Sequence, residues 1–289
     1  MGIWRVPLSM LTLDPINSID LEDARLLPIS EYNEDLQGYI RLAGLDTEFP
    51  TLTYDYVVEK VSSGSERVED FMMRTLANFR LFKETPNGVY SRVFLEGESE
   101  FMKIYPFRHF FPFSREIWQP YLLKENEQEE FAALWKRTRN MNFANYAVYR
   151  FTLADFRPYL YDRFSDYVES MENLLVPDYG DGQLSYKLSS RGAMILGRSV
   201  ISKNRAEIYE DLKWAYALRS KIVHGPVPDE TSLGGRLSIR KWEKANEIVR
   251  KYDRDLILFF HSKGCIDDSV KRRELLDKLI LDSKIIMND

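Results

Sequence analysis

Residues 205–224 read RAEIYEDLKWAYALRSKIVH and are followed at once by Gly225-Pro226-Val227-Pro228. The spacing predicts one helix, and the glycine and prolines behind it predict a hard stop. At about 100° per residue, Ile208, Leu212, Ala215 and Ile222 fall within roughly 80° of one another and define a packing face. Arg219 falls in the middle of that stripe. A permanently charged guanidinium on an apolar face is costly unless it meets a carboxylate, a phosphate or the edge of an interface. Glu172 is the acidic residue expected to serve as its structural partner. His224 lies about 140° around the helix from Arg219 and about 7.5 Å along it, so the two do not share a face. Ser220 and His224, four positions apart, do. The ring of His224 also sits in the last turn, where the helix dipole favours positive charge and where histidine's chemistry suits proton transfer.

Outward from this segment, the C-terminal half reads as helical throughout. Helices are expected over 127–139, 155–175, 185–200, 240–260 and 270–286, with Asp155 as an N-cap and Pro158 in a first turn. Phe164, Tyr167, Val168, Met171, Leu174 and Leu175 supply the apolar stripe of the second, which Pro177 ends. Helices of this length joined by short loops predict a bundle. The first part is punctuated by Pro7, Pro15, Pro28 and Pro50 and is more mixed. Residues 51–61 and 89–95 are rich in β-branched and aromatic side chains and read as strands. Pro86-Asn87-Gly88 marks a turn, and 66–82 has helical spacing. The chain is thus expected to be mainly α, with a mixed α+β region over 1–145 and a helical bundle over 146–289.

The 289 residues are 44% hydrophobic and 29% charged, as in a folded domain with a substantial core. One cysteine, Cys265, excludes an intrachain disulfide and a thiolate zinc site. The first residues do not read as a signal peptide, and the apolar run 256–260 is too short to span a bilayer. A cytoplasmic protein with no membrane partner is the expectation. The net charge of -5 argues against indiscriminate nucleic-acid binding, but its distribution is uneven. Over 1–59 only Arg5, Arg25 and Arg41 oppose eleven acidic residues. Over 183–226, Lys187, Arg191, Arg198, Lys203, Arg205, Lys213, Arg219 and Lys221 face only Glu207, Glu210 and Asp211. Such a local excess is either a phosphate footprint or a solvated helix surface.

The string Leu218-Arg219-Ser220-Lys221-Ile222-Val223-His224-Gly225 resembles the signature of the HEPN superfamily, an Arg with a His five positions later, and its spelling is similar to the Apea-like HEPN group. Glu172-Asn173-Leu174-Leu175-Val176-Pro177 and Leu184-Ser185-Tyr186-Lys187-Leu188-Ser189-Ser190-Arg191-Gly192-Ala193 add to the likeness, which covers about 156–260. The resemblance implies a HEPN-type bundle that pairs, with two motifs across one cleft, so that Arg and His from two chains meet one phosphate. It implies metal-independent RNA cleavage without cofactor: His224 as general base or acid, Arg219 holding the phosphate, Ser220 positioning one of them. Arg191 is carried over as a phosphate contact, with Lys187 and Lys221 beside it, and Glu172 as a structural partner.

RNA, a second copy of the chain and an antitoxin or regulatory partner are the expected partners of such a toxin or defence effector. The other reading keeps the bundle as a non-catalytic RNA-binding or dimerisation module. No Gly-x-Ser-x-Gly, Gly-x-x-x-x-Gly-Lys or His-Glu-x-x-His string is present to suggest other chemistry. His109, in an aromatic loop, is read as core packing or base stacking, and His261 as a helix cap.

Overall fold

The structure, a computed structural model, describes residues 3–8, 11–15, 17–31, 55–61, 67–83, 93–97, 103–106, 121–155, 157, 159–178, 182–197, 203–225 and 242–281. The chain divides into two compact units, Met1–Phe143 and Ala144–Asp289. The division falls two residues before the boundary expected from the sequence.

The first unit is built on strand β1 (Ile3–Leu8). Its residues Trp4 to Leu8 are all buried, so both faces of the strand are covered. It pairs antiparallel with β5 (Tyr56–Val61) from Ile3↔Val61 to Leu8↔Tyr56, and on its other edge with β6 (Val93–Glu96). With β3 (Ile19–Asp20), β4 (Arg25–Pro28) and β7 (Lys103–Pro106) the order is β3-β4-β5-β1-β6-β7. Beside this sheet, β2 (Leu11–Asp14) and β8 (Tyr121–Lys124) form a parallel pair. Helix α1 (Val68–Phe82) and helix α2 (Glu125–Arg137) join through Phe79 and Phe131, whose rings stack at 4.5 Å. Asp23 ties sheet to helices. Its carboxylate takes two bonds from Arg74 at 2.7 and 2.8 Å, one from Lys60 at 3.0 Å and one from the Trp135 indole at 2.9 Å. Burial alone would push this carboxyl up, but those donors hold it far below the usual carboxylate range.

The second unit is helical: α3 (Tyr146–Ala154), α4 (Leu160–Leu175), α5 (Leu184–Leu196), α6 (Arg205–His224), α7 (Trp242–Ser262) and α8 (Ser269–Leu281). Helix α4 is the axis and packs against all five others. Phe164, Val168, Met171, Leu174 and Leu175 on it are completely buried. Burying each such side chain contributes about 1.5–3 kcal/mol before conformational entropy is set against it. Helices α5 and α6 pack closely because residue 192 is glycine: a Cβ there would lie 2.4 Å from Leu212 Cδ1 and 3.2 Å from Leu175 Cδ1.

The mainly α character, with an α+β region first, follows the sequence expectation. Several details differ. Helix α3 was not expected, and Asp155 stands at its C-cap rather than opening a helix; α4 begins at Leu160. The residue before a proline is disfavoured in helical geometry, which agrees with Arg157 lying outside both helices, so the helix expected from residue 155 starts five residues late. Asp155 is instead a buried acid that accepts from the Tyr167 hydroxyl and lies 3.6 Å from Arg250. Strands β1, β2, β3, β4, β7 and β8 were not expected either. Residues 86–88, His109 and part of both expected strands lie outside the described residues.

Candidate active site on the last turns of α6

Helix α6 starts with a capping box. Asn204 Oδ1 accepts from the Glu207 amide at 3.0 Å, and the Glu207 carboxylate accepts from the Asn204 amide at 2.8 Å. From this fixed start the helix lays Ile208, Leu212, Ala215 and Leu218 into the core. The stripe ends there. Ile222, expected to belong to it, is only half-buried, while Lys221, Val223 and His224 are exposed. The motif therefore occupies the part of α6 that runs past the core into solvent. Arg219 and Ser220 are half-buried at its root.

Arg219 turns toward α4. Its Nη1 lies 3.4 Å from Glu172 Oε1 and its Nη2 lies 4.0 Å from Glu169 Oε2. The expected partnership with Glu172 is present, and Glu169 joins it. Both contacts are longer than the roughly 2.7–2.9 Å of a good charge-assisted hydrogen bond. Arg219 Nε and Glu172 Oε1 are also buried without a hydrogen-bond partner among the described residues. Burial raises the Glu172 carboxyl, Arg219 pulls it back only partly, and nearby Glu169 raises it further. The Arg219 side chain as a whole keeps 22% of its surface open. It is a cation held loosely at a surface.

Around it, carboxylates and guanidiniums interleave. Arg150, on α3, pairs with Glu169 and lies 2.5 Å from Asp166; Arg157 meets Asp166 at 2.7 Å. The Tyr146 hydroxyl donates to Glu169 Oε1. Burial and this acceptor together push the Tyr146 phenol up, so it remains a donor. Glu169, Arg150 and Tyr146 are site residues that sequence reasoning missed. Glu169 carried a legible signal, three positions before Glu172 and so on the same side of α4. The other two depended on a helix that was not foreseen.

Arg191 and Lys187 occupy a different place. Arg191 is buried and gives Nη1 to the Leu175 carbonyl at 2.9 Å and to Asp178 Oδ1 at 2.7 Å. Lys187 reaches Asp178 Oδ2 at 2.8 Å. These contacts close the C-terminal end of α4, where helix carbonyls lack partners. The Arg191 hydrogen bond is the main reason the Asp178 carboxyl sits well below its usual range. Lys221 is exposed, and neither it nor His224 has a hydrogen bond or ion pair among the described residues. His261 lies in the last turn of α7, where its carbonyl accepts from the Gly264 amide at 2.9 Å.

A cleft of about 640 Å³ in the first unit is lined by Lys60, Arg74, Arg139 and Asn140, but Asp23 already engages two of its cations. Among the described residues no group of three His, Cys, Asp or Glu side chains is arranged to hold a metal, and no helix is long and apolar enough to cross a membrane. Comparison with protein families, with curated proteins and with solved structures gives no match to the chain.

Proposed function

We propose that this protein is a metal-independent endoribonuclease that works as a homodimer, with Arg219, Ser220 and His224 of two copies facing one RNA phosphate. The observation that carries the reading is the state of Arg219: a permanent cation at a surface, with contacts of 3.4 and 4.0 Å that leave it short of good partners. A phosphate presents two oxygens for a bidentate pair with the guanidinium, a pairing neither carboxylate makes at these distances. His224 supports the reading by standing exposed at the end of the same helix.

In the reaction, a neutral His224 takes the proton of the RNA 2′-hydroxyl as that oxygen attacks the adjacent phosphorus. The bond from phosphorus to the 5′ oxygen breaks. That oxygen takes a proton from the protonated His224 of the second copy, leaving a 2′,3′-cyclic phosphate and a 5′-hydroxyl. Arg219 meets the charge that builds on the non-bridging oxygens. Ser220, on the His224 side of the helix, orients the ring or the phosphate. A cytoplasmic toxin or defence effector, restrained by an antitoxin or regulatory partner, is the setting such an activity fits.

The test incubates purified protein with RNA in EDTA beside Arg219→Ala and His224→Ala, and reads the product ends. Cleavage to cyclic phosphate by wild type alone is the expected result; cleavage that survives both substitutions sinks the assignment. RNA binding without cleavage in a confirmed dimer would leave a non-catalytic RNA-binding module, and a strict monomer by light scattering removes the two-copy site.

A further inference from the structure

Tyr146 and Tyr149 stand three positions apart at the start of α3 and so on one side of it. The two residues are 47% and 42% exposed. Exposed tyrosines are common, but Tyr146 is not loose. Asn145, just before it, caps α3 by accepting from the Ala147 amide at 3.0 Å and donates to the Ile266 carbonyl at 3.0 Å. The hydroxyl is fixed on Glu169, and the Arg150 guanidinium lies 5.9 Å from the ring centroid. The ring is thus ordered before any ligand arrives, which lowers the entropy cost of binding.

Glu169 links this ring to the motif. One of its oxygens accepts from Tyr146, and the other is 4.0 Å from Arg219 Nη2. A single carboxyl group separates an under-satisfied cation from an exposed aromatic face. A nucleotide carries the complementary pair, a charged phosphate and a flat base. Arg150 lies over one face of the ring, so a base would stack on the other face.

We propose that Tyr146, with Tyr149 beside it, is the base-stacking face of the Arg219 site, and that the site takes unpaired RNA rather than duplex. The proposal rests on the RNA reading above. In a duplex each base is already stacked and paired, so no ring face is free to meet Tyr146.

The experiment measures anisotropy of a labelled 2′-O-methyl RNA of roughly ten nucleotides, which spans such a site and lacks the attacking hydroxyl. The full chain is used throughout. Tyr146→Ala weakens binding by about 5- to 100-fold, and Tyr149→Ala weakens it less. Tyr146→Phe, which keeps the ring and loses the bond to Glu169, stays close to wild type. An abasic strand of equal length and charge binds wild type and Tyr146→Ala alike, a result that a mere folding defect would not give. Equal affinity of wild type and Tyr146→Ala for the intact strand, a Phe variant as weak as Ala, or tighter binding of duplex overturns the stacking face. If Arg219→Ala weakens binding while Tyr146→Ala does not, the RNA site stands and the stacking face falls. If no strand binds wild type, both fall.

Discussion

Arg191 and Arg219 of the helical unit both face carboxylates, and they differ in burial and in how completely they are hydrogen-bonded. Arg191 is buried, bonds a backbone carbonyl at 2.9 Å and an aspartate at 2.7 Å, and shares that aspartate with Lys187. Arg219 is half-open, stands 3.4 Å or more from its two glutamates and leaves Nε unpartnered among the described residues. The first arrangement is closed, and a phosphate would have to break it to enter. The second leaves an anion room and a reason to bind. Residue type and local charge made the two look alike in sequence. Completeness of hydrogen bonding separates them.

The largest expected contrast is catalytic. Arg219→Ala and His224→Ala should each reduce RNA cleavage by about 10²–10⁴-fold with the melting curve nearly unchanged, whereas Arg191→Ala should leave the residual folded fraction active. A cleavage assay read beside thermal melting separates these, and exchanged outcomes would break the comparison.

Next in size is stability. Arg191→Ala leaves Asp178 to Lys187 alone, removes the side-chain donor to the Leu175 carbonyl and should cost about 3 kcal/mol in urea unfolding, against less than about 1 kcal/mol for Arg219→Ala. Equal losses would make Arg219 a structural residue like its counterpart.

The pH dependence should have opposite signs at the two sites. The Asp178 carboxyl is lowered in the fold, so its stabilisation is complete above an unfolded value of about 3.9 and is lost as pH falls through the depressed folded value. The deficit of Asp178→Asn should therefore be full at neutral pH and close in acid. Glu172 is raised, so the fold favours its protonated form and stability declines as pH climbs above about 4.3 through the folded value. Glu172→Gln should gain on wild type across that rise. Denaturant midpoints measured from acid to neutral pH decide both. The smallest effect is on affinity: Glu172→Gln removes a competitor for Arg219 and should tighten RNA binding about two- to fivefold in a titration.

What the sequence disclosed follows from how local each signal is. The start and end of α6 were legible because Asn204, Glu207 and Gly225-Pro226 act within one turn. Glu172 was legible as a candidate partner because an acid on a neighbouring helix is one of the few things that makes a guanidinium on an apolar stripe tolerable. Strand β1 was not legible, since IWRVPL is buried on both faces and shows no alternation. Its partners, β5 and β6, are distant in sequence. Helix α3 was not legible because its nine residues are too few to show a sustained apolar period. With it went Tyr146 and Arg150, whose meaning depends on what α4 brings beside them. The separate duties of Arg191 and Arg219 were beyond any spacing argument, because they turn on tenths of an ångström.

The parallel pairing of β2 with β8, Leu11 against Tyr121 and Asp14 against Lys124, also dictates how the chain must be made. During synthesis β2 emerges and waits while about 110 further residues are added, roughly 5–20 s at ordinary elongation rates. Over that interval its edge has no strand to join, and a bare edge is open to pairing with other nascent chains. In the second unit α3 with α4 and α5 with α6 join neighbours in sequence, although α4 also waits for α7. A slow ribosome is therefore a hazard chiefly to the first unit, where β2 waits longest for its partner.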